Sequence, residues 1–98
     1  MSGESQEIKV RITNPQGFHI RPMSAFAETA GRFKSAVTVH KDDLAVNGKS
    51  IWELMMLAAE QGTELTIRAQ GADAADALAA LVVVINTPVK DDPEPAQQ

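Results

Sequence analysis

The chain has no cysteine and no tyrosine, and holds a single tryptophan and three phenylalanines. The lack of thiols excludes disulfide staples, zinc-thiolate sites and cysteine nucleophiles, and it fits a reducing compartment. None of the phenylalanines falls in a segment that alternates like a strand, which argues against a sheet that stacks nucleic-acid bases. A formal net charge of −4 points the same way, because nucleic-acid binders usually present a basic face. The longest apolar run, residues 77–85, is far short of a membrane span. The opening MSGESQEIKV is polar and acidic, unlike a signal peptide. A cytoplasmic protein with no membrane insertion is expected. The histidines, His19 and His40, stand alone without ligand spacing, so neither a metal site nor a cofactor is expected.

What remains is a patterned chain of 98 residues, enough for one hydrophobic core and too little for a deep enclosed cleft. Chemistry should therefore take place at the surface, on one or two groups, with a partner protein supplying the rest. Residues 1–6 read as a disordered leader, residues 7–87 as a single domain, and residues 88–98, acidic and Pro-rich, as a flexible tail.

Within the domain the hydrophobic period alternates between two and 3.6. Ile8, Val10 and Ile12 line one side of a strand over residues 7–13. Met23, Phe26, Ala27, Ala30 and Phe33 form the inward stripe of a helix over 21–33, with Pro22 in its first turn. Val37 and Val39 mark a second strand, Asp42-Asp43 a turn, and residues 44–46 a third strand. Ser50 and Glu53 form a capping box that opens a short helix whose inward residues are Leu54 and Ala58 and whose stop is Gly62. Leu65, Ile67 and Ala69 alternate in a fourth strand. Asp73 caps a last helix running to about Asn86, with Ala77, Leu78, Leu81, Val82 and Ile85 inward. Strands that bury one face need helices over it. The predicted fold is α+β: a two-layer open-faced β-sandwich of order β-α-β-β-α-β-α, with a four-stranded antiparallel sheet covered on one face by three helices.

The chemically informative stretch is Gly17-Phe18-His19-Ile20-Arg21-Pro22. It places His19 at a helix start, where first-turn amides (Ile20, Arg21 and Met23; Pro22 has none) and the positive end of the helix dipole favour an anion. Arg21 adds a permanent charge and a fork of donors suited to phosphate. Imidazole is largely neutral near pH 7, nucleophilic in that form, and able to hold a group covalently between two transfers. The residues alone leave a surface or capping histidine as an equal reading.

The stretch resembles the active-site signature of the histidine-containing phosphocarrier (HPr) family of the bacterial phosphotransferase system, usually Gly-Leu-His-Ala-Arg-Pro. A second stretch, Asn47-Gly48-Lys49-Ser50-Ile51-Trp52-Glu53-Leu54-Met55-Met56-Leu57, resembles the segment around that family's regulatory serine. The resemblance implies phosphorylation of His19 on Nδ1, with Arg21 stabilising the phosphate. It makes Ser50 a regulatory site, and implies a carrier within a relay rather than an enzyme. The implied partners are enzyme I, IIA-type acceptors, and in some bacteria HPr kinase/phosphorylase with a regulatory protein. Ile20, Met23, Ile51, Trp52, Met55 and Met56 are the candidate docking patch, on a protein expected to be monomeric. An alternative is a regulatory binding protein controlled through Ser50. The chain departs from the family pattern in two respects: Glu53 stands where a small or neutral residue is usual, and Glu28 and Gly31 replace basic residues on the first helix.

Overall fold

The structure, a computed structural model, describes residues 5–87. Its elements are β1 (Ser5–Arg11), α1 (Ile20–Gly31), β2 (Ala36–Lys41), β3 (Leu44–Asn47), α2 (Ile51–Met55), β4 (Glu64–Gln70) and α3 (Ala74–Asn86). The order is the expected one, and every strand pair is antiparallel. The sheet runs β1-β4-β2-β3, so the last strand in the chain is inserted between the first two.

Period two explains the inner face. Ile8, Ile67, Val39 and Val46 are register partners in one row across the sheet. Ile67, Val39 and Val46 are buried, whereas Ile8 keeps 39% of its surface because β1 is the sheet's margin. Phe26, Met23 and Ala30 of α1 and Ala77, Leu78, Leu81 and Ile85 of α3 close over this face. On the open face Glu7 stands opposite Arg68, and Arg11 opposite Glu64, polar pairs that water can share.

Several expectations are corrected. Ser5 and Gln6, assigned to the leader, pair with Gln70 and Ala69. An edge strand is held by backbone groups, so its polar side chains gave no sign of it. The remaining leader, residues 1–4, and the tail from residue 88 lie outside the described residues. α2 ends at Met55, well before Gly62, and Ala58 is exposed with φ +49 while Leu57 takes the buried place. Gly62 instead turns the chain toward β4, its N–H donating to the Ile12 carbonyl at 2.7 Å. Gly48 is required by close approach: a Cβ there would lie 2.6 Å from Val37 Cγ1 and 3.2 Å from Phe26 Cε1.

Asp73 precedes α3, but its carboxylate does not cap that helix. It accepts instead from the amides of Lys34 (2.8 Å) and Ser35 (2.9 Å) and from the Ser35 hydroxyl, tying the start of α3 to the loop before β2. The Ser35 hydroxyl first, and then the Lys34 amide, hold the carboxyl below its ordinary value of 3.8. A carboxyl depressed in the folded state adds stability above its unfolded value, and that stability is lost as pH falls through the folded value. Denaturant unfolding of the wild type should therefore weaken progressively below about pH 4. Asp73→Asn should be less stable at neutral pH and flatter through that acid range; parallel curves would remove this role.

Candidate functional site

The site lies where the chain leaves β1, enters α1, and passes the connection from α2 to β4. Asn14 builds the turn: its side-chain oxygen accepts from Gln16 N at 3.0 Å and its carbonyl from Gly17 N at 2.8 Å. Gly17 has φ +75, and a Cβ on it would stand 2.7 Å from the Ala59 carbonyl oxygen. Immediately beyond, Phe18 N donates to that same oxygen at 2.9 Å. The Phe18 ring is buried and meets Phe26 edge to face, with centroids 5.7 Å apart.

With Phe18 anchored at backbone and ring, His19 follows as the N-cap of α1 in extended conformation, φ −94 and ψ −170. Its side chain takes no part in capping the helix. The residue is half-buried and its Nε2 atom is sealed from solvent. The first turn of α1 contains no acidic residue, so nothing there offsets the positive end of the dipole.

The amide of Met23, expected to face an incoming anion, donates to the His19 carbonyl at 3.0 Å and opens the helical ladder. Pro22, buried, has no N–H. The amides of Ile20 and Arg21 precede that ladder, so they are the part of the expected amide set that the helix itself does not use. Arg21 is exposed, two residues beyond His19.

The second expected motif forms the start of α2. Ser50 Oγ accepts from Glu53 N at 3.2 Å, the cap that the spacing predicts. The box is not reciprocal. Glu53 Oε1 accepts from Asn47 N at 2.8 Å, while Ser50 N donates to the Asn47 carbonyl. Of the candidate docking residues, Trp52 is 78% exposed, Met56 61%, Ile20 54% and Met55 45%. Met23 is core and Ile51 half-buried against it, because each falls on the inward side of its helix. Among the described residues no cluster of histidine and carboxylates could hold a metal ion.

A family model described as the PTS HPr component phosphorylation site matches residues 6–87. The chain belongs to the HPr family. It is similar to the phosphocarrier protein HPr of Neisseria meningitidis serogroup A, with 49% identity over 77 residues, 79% of this chain and 86% of the relative. It is also similar to the HPr-like protein Crh of Bacillus subtilis, with 42% identity over 84 residues, 86% of this chain and 96% of Crh. The crystal structure of HPr from Bacillus anthracis superposes with a TM-score of 0.79 at 34% identity, covering 84% of this chain and 98% of that one. HPr family membership agrees with the resemblance carried by residues 17–22 and 47–57.

Sequence reasoning missed the partner of the Gly17 turn. Ala59 acts through its carbonyl, which any residue type would supply; the glycine was the trace it left. Gly17→Ala should destabilise the fold by at least about 1–2 kcal/mol from the left-handed conformation alone, before the overlap with Ala59 is relieved. Urea unfolding measures it, and an unchanged midpoint would contradict the close approach. Ser50→Ala should lose about 0.5–2 kcal/mol through the N-cap, with Ser50→Asp recovering part of it; equal stability of all three would deny the cap any weight.

Proposed function

We propose that this protein carries a phosphoryl group on Nδ1 of His19, receiving it from enzyme I and passing it to IIA-type acceptors of the phosphotransferase system. The observation that supports this reading above others is the seat of the His19 ring. It stands at a helix start whose first turn holds no acidic residue, takes no part in capping, and has Nε2 turned inside. With Nε2 so placed, Nδ1 is the ring nitrogen we assign to the attack. Its lone pair forms the P–N bond as the donor's bond to phosphorus breaks, the donor keeping that electron pair; handing on to the acceptor repeats the exchange in the opposite sense. The amides of Ile20 and Arg21 and the Arg21 guanidinium serve the oxygens of the bound phosphoryl group.

Such a carrier needs no cofactor and no substrate pocket, since its partners bring the reacting groups. Trp52, Met55, Met56 and Ile20 form the docking surface, with Ile51 and Met23 supporting it from beneath. We place the protein in the cytoplasm as a monomer. Among the described residues no helix is long and apolar enough to cross a membrane.

The test is incubation with phosphoenolpyruvate and a cognate enzyme I, followed by intact mass measurement. Wild type should gain one phosphoryl group that is lost in acid, and His19→Ala should gain none. A stable wild-type mass under conditions that label a known HPr, or labelling that survives His19→Ala, would refute the proposal.

A second reading is a binding protein regulated by phosphorylation of Ser50 through HPr kinase/phosphorylase. It is supported by the place of Ser50, half-buried at the start of α2, and by the similarity to Crh. Glu53 weighs against it, because its carboxylate lies in the same first turn and would repel a phosphate on Ser50. ATP-dependent, acid-stable labelling abolished by Ser50→Ala would favour this reading.

A further inference from the structure

We infer that Thr63 is a positioning residue for phosphoryl transfer at His19, acting through the turn of residues 59–63. The inference rests on the reading of His19 as the carrier.

The turn is held at its base by the exit of β1. Ile12 N donates to the Thr63 carbonyl at 2.9 Å, and Gly62 N returns to the Ile12 carbonyl at 2.7 Å. Arg11 Nη1 reaches the Gly62 carbonyl at 2.9 Å, and Gln61 Nε2 the Thr13 carbonyl at 3.2 Å. At its tip the turn presents the Ala59 carbonyl to Phe18 N. Thr63 links base and tip twice. Its N–H donates to the Glu60 carbonyl at 3.0 Å, and its Oγ1 accepts from Glu60 N at 3.1 Å.

The Glu60 amide belongs to the same peptide unit as the Ala59 carbonyl. A peptide unit is rigid and planar, with N–H and C=O pointing in opposite directions. Fixing Glu60 N against Thr63 Oγ1 therefore aims Ala59 O, on the other side of that plane, at Phe18 N. Ala58, at φ +49, brings the chain into this orientation from α2. The hydroxyl of Thr63 sets one end of a single peptide plane, and the residue before the reacting histidine hangs from the other. Without that hydroxyl, Glu60 is exposed enough for water to take its N–H, so the fold survives while the plane is free to tilt. Tilts displace Phe18 N and the His19 ring that follows, and transfer between two rigid partners is sensitive to such displacements.

The experiment compares wild type, Thr63→Val, Thr63→Ala and Thr63→Ser as acceptors from phosphorylated enzyme I, and measures phosphohistidine lifetime in each isolated phosphoprotein. Valine keeps the shape without the acceptor, and alanine lacks it without added bulk, should valine fail to fold. We expect kcat to fall about three- to tenfold in the hydroxyl-less variants, as for loss of one neutral hydrogen bond, with KM within about twofold because the docking surface is untouched. The lifetime should shift in the same variants, and Thr63→Ser should restore both. Turnover and lifetime equal to wild type in Thr63→Val or Thr63→Ala, or losses that serine fails to rescue, would overturn the inference. Failure of wild type to be labelled at all would overturn the carrier reading, and this inference with it.

Discussion

The hydrogen bond from Phe18 N to the Ala59 carbonyl is the contact on which the site depends. A chain of 98 residues has no depth in which to hide a reactive group, so the group must be held in place at the surface. Holding it requires that the preceding backbone be immobile. The bond supplies this at one point, the burial of the Phe18 ring at a second, and the Gly17 turn at a third, where the absence of a Cβ lets two backbone segments touch. Each constraint is ordinary alone. Together they leave His19 little freedom other than rotation of its own side chain.

The two helix starts differ in what occupies them. At α2 the Ser50 hydroxyl takes up the Glu53 amide, and Glu53 adds its own negative charge to the first turn. At α1 no side chain caps, and the helix's own first turn contains no acidic residue. An added anion thus gains more at α1 than at α2, which favours carriage on His19 over regulation through Ser50. The outer surface of α1 offers less to an acidic partner. Glu28 pairs with Arg32 at 3.5 Å, and both side chains are well exposed, so the pair adds little stability while lowering the local positive charge. This accords with the proposal that recognition leans on the apolar residues of α2 and the start of α1.

Much of this was legible in the sequence because the information is periodic or chemically specific. Alternation placed Val10, Val39 and Ile67, and the 3.6 period placed Phe26 and Leu81. The six residues from Gly17 to Pro22 pointed to the candidate site. What escaped depends on backbone groups or on long-range choices among several satisfactory partners. Asp73 had a local amide to cap and instead took three donors from residues 34 and 35, since a carboxylate with three donors is better satisfied than one with a single cap. Glu53 chose Asn47 over Ser50 for a similar reason: Ser50 N already had the Asn47 carbonyl. Met23 was expected to offer its amide because it lies in the first turn. With His19 as the N-cap, Met23 is the first residue whose N–H finds a carbonyl four positions back within the helix, so its amide opens the ladder.

The proposed docking surface and the proposed reacting histidine share one short piece of chain. Met56, at the end of the exposed apolar set, is three residues from Ala59, whose carbonyl holds Phe18. Three residues span at most about 11 Å even when extended, and Ala58 bends the path between them. Leu57, fully buried between the two, fixes this segment to the core, and Lys41 Nζ donates to the Leu57 carbonyl at 2.8 Å. A partner seated on Trp52 and Met56 therefore rests on the same anchored segment that seats the histidine. The distance from the proposed docking surface to the His19 ring is set by packing within one core. For the proposed carrier, which meets two partners in turn, that arrangement presents the same geometry to each.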